Sequence, residues 1–225
     1  MKIRWLGQAG LLFETGRITI MVDPYFSDSA AKINPRSFRR SALDESVFEI
    51  KPDVLIFTHC HIDHYDPETA ERLLSSSKPI TVLSPSSVWG NVRKLGNGHN
   101  YVEFNVGTEW SVGDVCIRAT FAAHSDASAI GVDIHAEGRH YYVTGDTLYN
   151  RTVLQDAPKC AEAVFLPING VGNNMNMTDA ARFANMIQAK NVVATHFGML
   201  DDLDPAKFLC DNRIIPEIYK EVVLK

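Results

Sequence analysis

Cysteine is scarce: the chain has 4 in 225 residues, Cys60, Cys116, Cys160 and Cys210, and no two form a CxxC pair. That excludes a disulfide framework and points to a reducing, cytoplasmic setting. No run of about 18 consecutive apolar residues exists, which excludes a membrane-spanning helix. A basic surplus is missing too, with 22 Lys and Arg against 27 Asp and Glu and a net charge of −5. This speaks against a nucleic-acid partner. Proline and glycine never cluster, and no low-complexity segment, linker or repeat interrupts the chain. One continuous domain over residues 1–225 is the expectation. With 45% apolar residues the chain is too hydrophobic for disorder and long enough to build a full core. Met1 to Leu6 has a charged start, and its apolar stretch breaks at Gly7-Gln8, so it reads as an opening strand rather than a signal peptide.

The patterning predicts strands over the first 23 residues, then a long loop from Asp23 to about Pro52 that contains Arg36, Arg39 and Arg40. Asp53–Thr58 is a short apolar run that fits a buried strand. Asp66-Pro67 then carries the cap and first-turn chemistry of a helix start. Ile80–Leu83 reads as a strand and Ser86–Leu95 as a helix. Residues 101–145 are nearly all strand, with Glu137-Gly138 as a hairpin turn. Ala163–Ile168 and Asn191–Thr195 are further strands. Between them, Thr178 is the expected cap of a helix with Ala180, Phe183, Ala184 and Ile187 on one face. Asp204-Pro205 opens a last short helix. This order predicts two packed sheets with helices outside.

The chemistry concentrates in His59-Cys60-His61-Ile62-Asp63-His64, four metal-competent side chains in six residues directly after a predicted strand. In extended chain, residues two apart point the same way, so His59 and His61 can share an ion. Asp63 and His64 can turn toward a second. His124, Asp146 and His196 each follow the end of a predicted strand, and neighbouring strands bring such ends to one rim. The set supplies His59, His61 and His124 to one ion and Asp63, His64 and His196 to another, with Asp146 free to bridge. Three-ligand sites with open positions are characteristic of catalytic metals. Imidazole and carboxylate suit zinc first, and also manganese or iron.

These residues resemble the metallo-β-lactamase superfamily, whose HxHxDH loop and separate His, Asp and His ligands are matched at all seven positions. The resemblance implies an αββα sandwich, four layers built on two mixed β-sheets. Trp5–Gly10, Val22–Asp28, Thr144–Thr147 and Pro167–Gly170 look like the L-ascorbate-6-phosphate lactonase group and its relatives. Association into homo-oligomers is implied by the same likeness. His at position 61, where the diiron members of the family carry a carboxylate, disfavours a redox role. The chain leaves no room for the extra domain of the nucleic-acid-processing members.

The mechanism expected from this set uses two divalent ions about 3.5–4 Å apart that hold a bridging water of lowered pKa. The resulting hydroxide attacks the carbonyl of a small anionic lactone or ester. Asp146 bridges the ions and Asp63 orients the hydroxide or passes its proton on. Asp23 is a candidate for orienting a ligand imidazole. Arg36, Arg39 and Arg40 are candidates for clamping a phosphate or carboxylate, and Asn169 for touching substrate. Cys60 reads as a packing residue. The competing readings are a phosphodiesterase or phospholipase-type hydrolase on the same metals and a non-catalytic metal-binding protein.

Overall fold

The computed structural model describes residues 1–225, from Met1 to Lys225. The first sheet contains β1 (Lys2–Gly7), β2 (Gly10–Glu14), β3 (Thr19–Val22), β4 (Val54–Ile56), β5 (Thr81–Ser84) and β6 (Asn100–Glu103), side by side in chain order. β1 to β3 pair antiparallel, and β3 to β6 pair parallel. The second sheet holds β7 (Glu109–Val112), β8 (Val115–Phe121), β9 (Ile130–Ala136), β10 (Arg139–Val143), β11 (Ala163–Pro167), β12 (Val192–Thr195) and β13 (Arg213–Ile214). It too is mixed: β7 to β10 alternate in direction, and β10 to β13 run parallel.

Alternation along the strands explains why both sheets are buried. In β2, Leu11 and Phe13 enter the large core shared with the second sheet, and Leu12 enters a separate core. In β3 the split is Ile20 and Val22 against Met21, and in β4 it is Val54 and Ile56 against Leu55. A strand covered on both faces reads as an unbroken apolar run, which is how residues 53–58 look in sequence. The outer core is closed by α2 (Pro67–Leu74) and α3 (Ser86–Val92), through Leu73, Leu74, Val88 and Val92. On the other side α4 (Arg151–Asp156) packs on β8 and α5 (Met177–Ile187) on β11. The layers are therefore helices, sheet, sheet, helices, as the patterning and the resemblance both predict. No helix is long and apolar enough to cross a membrane.

Asp66 accepts from the backbone N–H groups of Glu68 and Thr69 at 3.2 Å each, with Pro67 in the first turn. Glu137 and Gly138 both have positive φ, 54° and 69°, which the tight hairpin between β9 and β10 requires. Two expectations need correction. α5 starts at Met177, capped by Asn176, whose Oδ1 accepts from Asp179 N at 2.9 Å; Thr178 lies inside the helix. The stretch from Asp23 to Pro52 is not all loop, since it holds α1 (Ser29–Ile33) and a 3-10 turn at Glu45–Glu49. Both are too short to leave a periodic signature. The expected last short helix is Pro205–Lys207, a single 3-10 turn capped by Asp204.

Strand direction positions the site. β3 and β4 are parallel neighbours, so the residues after both leave from the same edge of the first sheet. β8, β10, β11 and β12 run in one direction in the second sheet, so the segments after them share one edge as well. Asp23 and the His59–His64 turn follow the first pair. His124, Asp146, Asn169 and His196 follow the second set, one per strand.

Candidate metal centre

At that shared rim the side chains form two groups. The ligand atoms of His59, His61, His124 and Asp146 all lie within 4.8 Å of one another, and so do those of Asp63, His64 and His196. Asp146 stands between the groups. Its Oδ1 is 3.3 Å from His64 Nε2, and its Oδ2 is 3.2 Å from His196 Nε2 and 4.0 Å from His59 Nε2. Asp63 Oδ2 lies 3.1 Å from His196 Nε2 and 3.9 Å from His64 Nε2.

The surroundings fix which imidazole nitrogens are free. Asp23 is fully buried, and its carboxylate accepts from Thr58 N at 2.8 Å and from the Thr58 hydroxyl at 2.6 Å. The same Oδ2 sits 2.8 Å from His64 Nδ1, so that nitrogen carries the proton. With its hydrogen committed to Asp23, the Thr58 oxygen can only accept from His59 Nδ1, 3.1 Å away. His124 Nδ1 faces the Asn173 carbonyl at 3.4 Å. Each of these rings, in its neutral form, therefore turns an unprotonated Nε2 toward the centre. His61 differs. Its Nδ1 points inward, 3.0 Å from His59 Nε2 and 3.1 Å from His124 Nε2, and its Nε2 is 3.4 Å from Ser125 Oγ.

This donor set fits cations. His64 Nε2 is buried and has no hydrogen-bond partner. Three inward ring nitrogens converge at His61 Nδ1. As charges of the chain alone, the carboxylates compensate by drawing protons. Burial pushes His196 down, but Asp146 and Asp63 outweigh it and raise its pKa to about 10. Burial opposes the charge on His64 as well, and Asp146, Asp23 and Asp63 still raise its pKa well above the usual histidine value. Burial and the neighbouring His64 cation drive His59 well below it. Burial also lowers His124. Asp146, resisting its own burial, is held well below the carboxylate range by His196 and His64. Asp63 is lowered likewise.

Several supporting groups carry no sequence signature. Gln8 Nε2 donates to Asp63 Oδ2 at 2.9 Å and lies 3.0 Å from His196 Nδ1. Trp5 Nε1 donates to the Gln8 carbonyl, and the Trp5 ring stacks on Phe197. Asn174 Nδ2 donates to Asp146 Oδ2 at 2.9 Å. Asp126 ties two ligand loops together, accepting from Cys60 N at 3.0 Å, Ser87 Oγ at 2.6 Å and Ser128 N at 2.9 Å. Gln8, Asp23 and His196 all have positive φ, 49°, 44° and 60°. Non-glycine residues adopt that region at a cost, and such strain concentrates at functional sites. Only Thr58 was open to discovery from sequence, as the polar end of an apolar strand.

The remaining candidates fall in different places. Asn169 sits 2.9 Å from His196 Nδ1 through its amide nitrogen, and its Oδ1 has no partner. A half-turn of the amide lets Oδ1 accept from an Nδ1–H and frees Nε2. Arg39 is engaged by the Tyr25 and Ser41 carbonyls and by the Tyr219 hydroxyl. Arg40 pairs with Asp202 at 2.9 Å. Arg36 is exposed. Cys60 is exposed rather than packed, since the turn after Thr58 has left the sheet.

Comparison with known proteins agrees with this architecture. A family described as "Beta-lactamase superfamily domain" matches residues 19–197. A UPF0173 metal-dependent hydrolase of Oenococcus oeni is 26% identical over 239 residues, covering 98% of this chain and 99% of its own. A UPF0173 protein of Pyrococcus furiosus is 28% identical, covering 92% of this chain and 89% of its own. Among solved structures, a metallo hydrolase from Ignicoccus hospitalis superposes with a TM-score of 0.76 at 21% identity, covering 98% of this chain and 97% of its own.

Proposed function

The chain belongs to the beta-lactamase superfamily and is a metal-dependent hydrolase, and from that premise we propose that it cleaves a small lactone or ester with two divalent cations. His59, His61 and His124 would hold one cation, and Asp63, His64 and His196 the other, with Asp146 shared between them. Zinc is the first candidate and manganese the second, because both accept imidazole and carboxylate. Of the lactonase group named by resemblance, the proposal keeps the lactone-opening reaction and not the phosphorylated substrate. The observation that carries the reading is His64 Nε2, buried and without a hydrogen-bond partner at the meeting point of the two groups, while Nδ1 of the same ring is held by Asp23.

When bound, the cations would supply Lewis acidity toward a carbonyl oxygen and make water acidic near neutral pH. The chain's own part is positioning and proton transfer. Asp63 Oδ2 is held by Gln8, and Oδ1 makes no hydrogen bond. Asp63 can take a proton from the attacking water and return it to the departing alkoxide. The water oxygen joins the acyl carbon, the acyl C–O bond breaks, and acid and alcohol are the products. No lysine or arginine lines the cavity beside Asp63 and His196, which favours an acyl substrate over a phosphodiester.

The test is hydrolysis of a panel of lactones, esters and phosphodiesters by the metal-loaded protein. The proposal expects acyl turnover that falls by at least about a hundredfold in Asp63→Asn. Turnover confined to phosphodiesters, or unaffected by Asp63→Asn, would overturn it.

A further inference from the structure

A cavity of about 280 Å³ opens beside the metal-ligating cluster, and Asp63 and His196 form part of its lining. Its apolar wall is Ala30, Ile33, Ile62, Val171 and Leu200, and the rest of the lining is polar. Ile33 and Val171 are 73% and 64% exposed, among the most exposed large apolar side chains of the molecule, and they belong to the wall of this one cavity. The wall is built rather than incidental. Ile62 and Leu200 pack on a small core of Tyr25, Ala30 and Met199, separate from the two main cores.

The charge on the lining is equally specific. No lysine or arginine is present. Asn34 and Ser37 face the cavity, but Arg36 between them does not line it. Arg39 and Arg40 are held elsewhere by Tyr25, Ser41, Tyr219 and Asp202. Apart from Asp63, the one ionisable group on the wall that is not a histidine is Asp201. Its Oδ1 already accepts from Gly198 N at 2.8 Å and Leu203 N at 3.0 Å. Away from the ligand side chains, an anionic substituent placed here would meet the Asp201 carboxylate and apolar walls with no lysine or arginine to pair it, an unfavourable exchange for its water.

We infer that the substrate is an uncharged ester or lactone whose apolar group fills the cavity walled by Ile33, Ile62, Val171 and Leu200. This rests on the acyl-hydrolase reading of the adjacent site and replaces the anionic substrate expected from sequence. Ile33 and Val171, at the mouth, set the preference for chain length.

Binding of neutral alkyl hydroxamic acids of two to six carbons to the metal-loaded protein tests this by calorimetry. These compounds are not esters, so the measurement reads the cavity separately from any failure of ester turnover. The expected result is a Kd that tightens about two- to fourfold per added methylene, fourfold being the value for full burial. A terminal carboxylate on the longest member should cancel the gain. Ile33→Asp and Val171→Asp, both at exposed positions that the fold does not need, should flatten the chain-length dependence. Affinity independent of chain length, or tighter binding of the carboxylate form that Arg36→Ala abolishes, would overturn the inference.

Discussion

Thr58→Val removes one oxygen from a fully buried position and keeps the shape of the side chain. In the native protein that oxygen donates to Asp23 Oδ2 at 2.6 Å, accepts from His59 Nδ1 at 3.1 Å and lies 3.3 Å from His64 Nδ1. It therefore links a histidine of each group to one carboxylate. The variant leaves the His59 Nδ1–H without an acceptor and Asp23 Oδ2 with one donor fewer. A buried polar group stripped of its partner costs about 1–3 kcal/mol. Taking about 2 kcal/mol, a chain of this length should melt roughly 4–8 °C lower. Freed of its anchor, His59 can turn or change tautomer, and loss of such an outer partner weakens metal affinity by about 10–100-fold. Chelator competition on the purified variant gives the affinities, and calorimetry the melting temperature. Thr58→Ser, which restores the oxygen, should recover most of the affinity. Two affinities within about twofold of wild type in Thr58→Val would refute the tautomer argument, because they would mean that nothing holds the rings through this hydroxyl.

Gly145 precedes Asp146 with φ of 59°, and a Cβ there would come within 2.6 Å of the Ile130 carbonyl. Gly145→Ala should lower stability by about 2–4 kcal/mol, measured by urea unfolding, and an unchanged midpoint would contradict the close approach. Tyr142 is fully buried, and burial raises its phenol above the ordinary value. Because the folded state prefers the neutral phenol, its contribution is complete below about pH 10 and falls by about 1.4 kcal/mol per unit as pH rises beyond that. Tyr142→Phe should remove that slope between pH 10 and 11, and equal slopes in both proteins would count against the burial argument. In chelator-stripped protein His64 and His196 carry raised pKa values, so loading metal at pH 7 should release about two protons per chain. Titration calorimetry in buffers of different ionisation enthalpy measures that release, and none at all would contradict the paired charges.

The layered fold was legible because aliphatic or aromatic residues recur at every second position over long spans, as in Val115–Phe121 and Ile130–Ala136. The metal cluster was legible because its residue types are rare and sit where strands end. Gln8 was not, since its role depends on a left-handed backbone and on Trp5 holding its carbonyl, and neither leaves a pattern in one sequence. Asn176 displaced Thr178 as the helix cap because both have capping chemistry and only the backbone entry angle decides. The arginine loop is hard to read from sequence for a related reason. A cluster of guanidinium groups looks like an anion clamp, but Arg39 spends its donors on the Tyr25 and Ser41 carbonyls, which irregular backbone leaves unpaired.

The claim on which the rest depends is that the seven ligands make two sites and not one. Elemental analysis of purified protein, together with His124→Ala and His196→Ala, tests it directly. The account predicts about two divalent ions per native chain and about one in each variant, since each histidine belongs to a different group. One ion in the native protein, or complete loss of metal in either single variant, would contradict it.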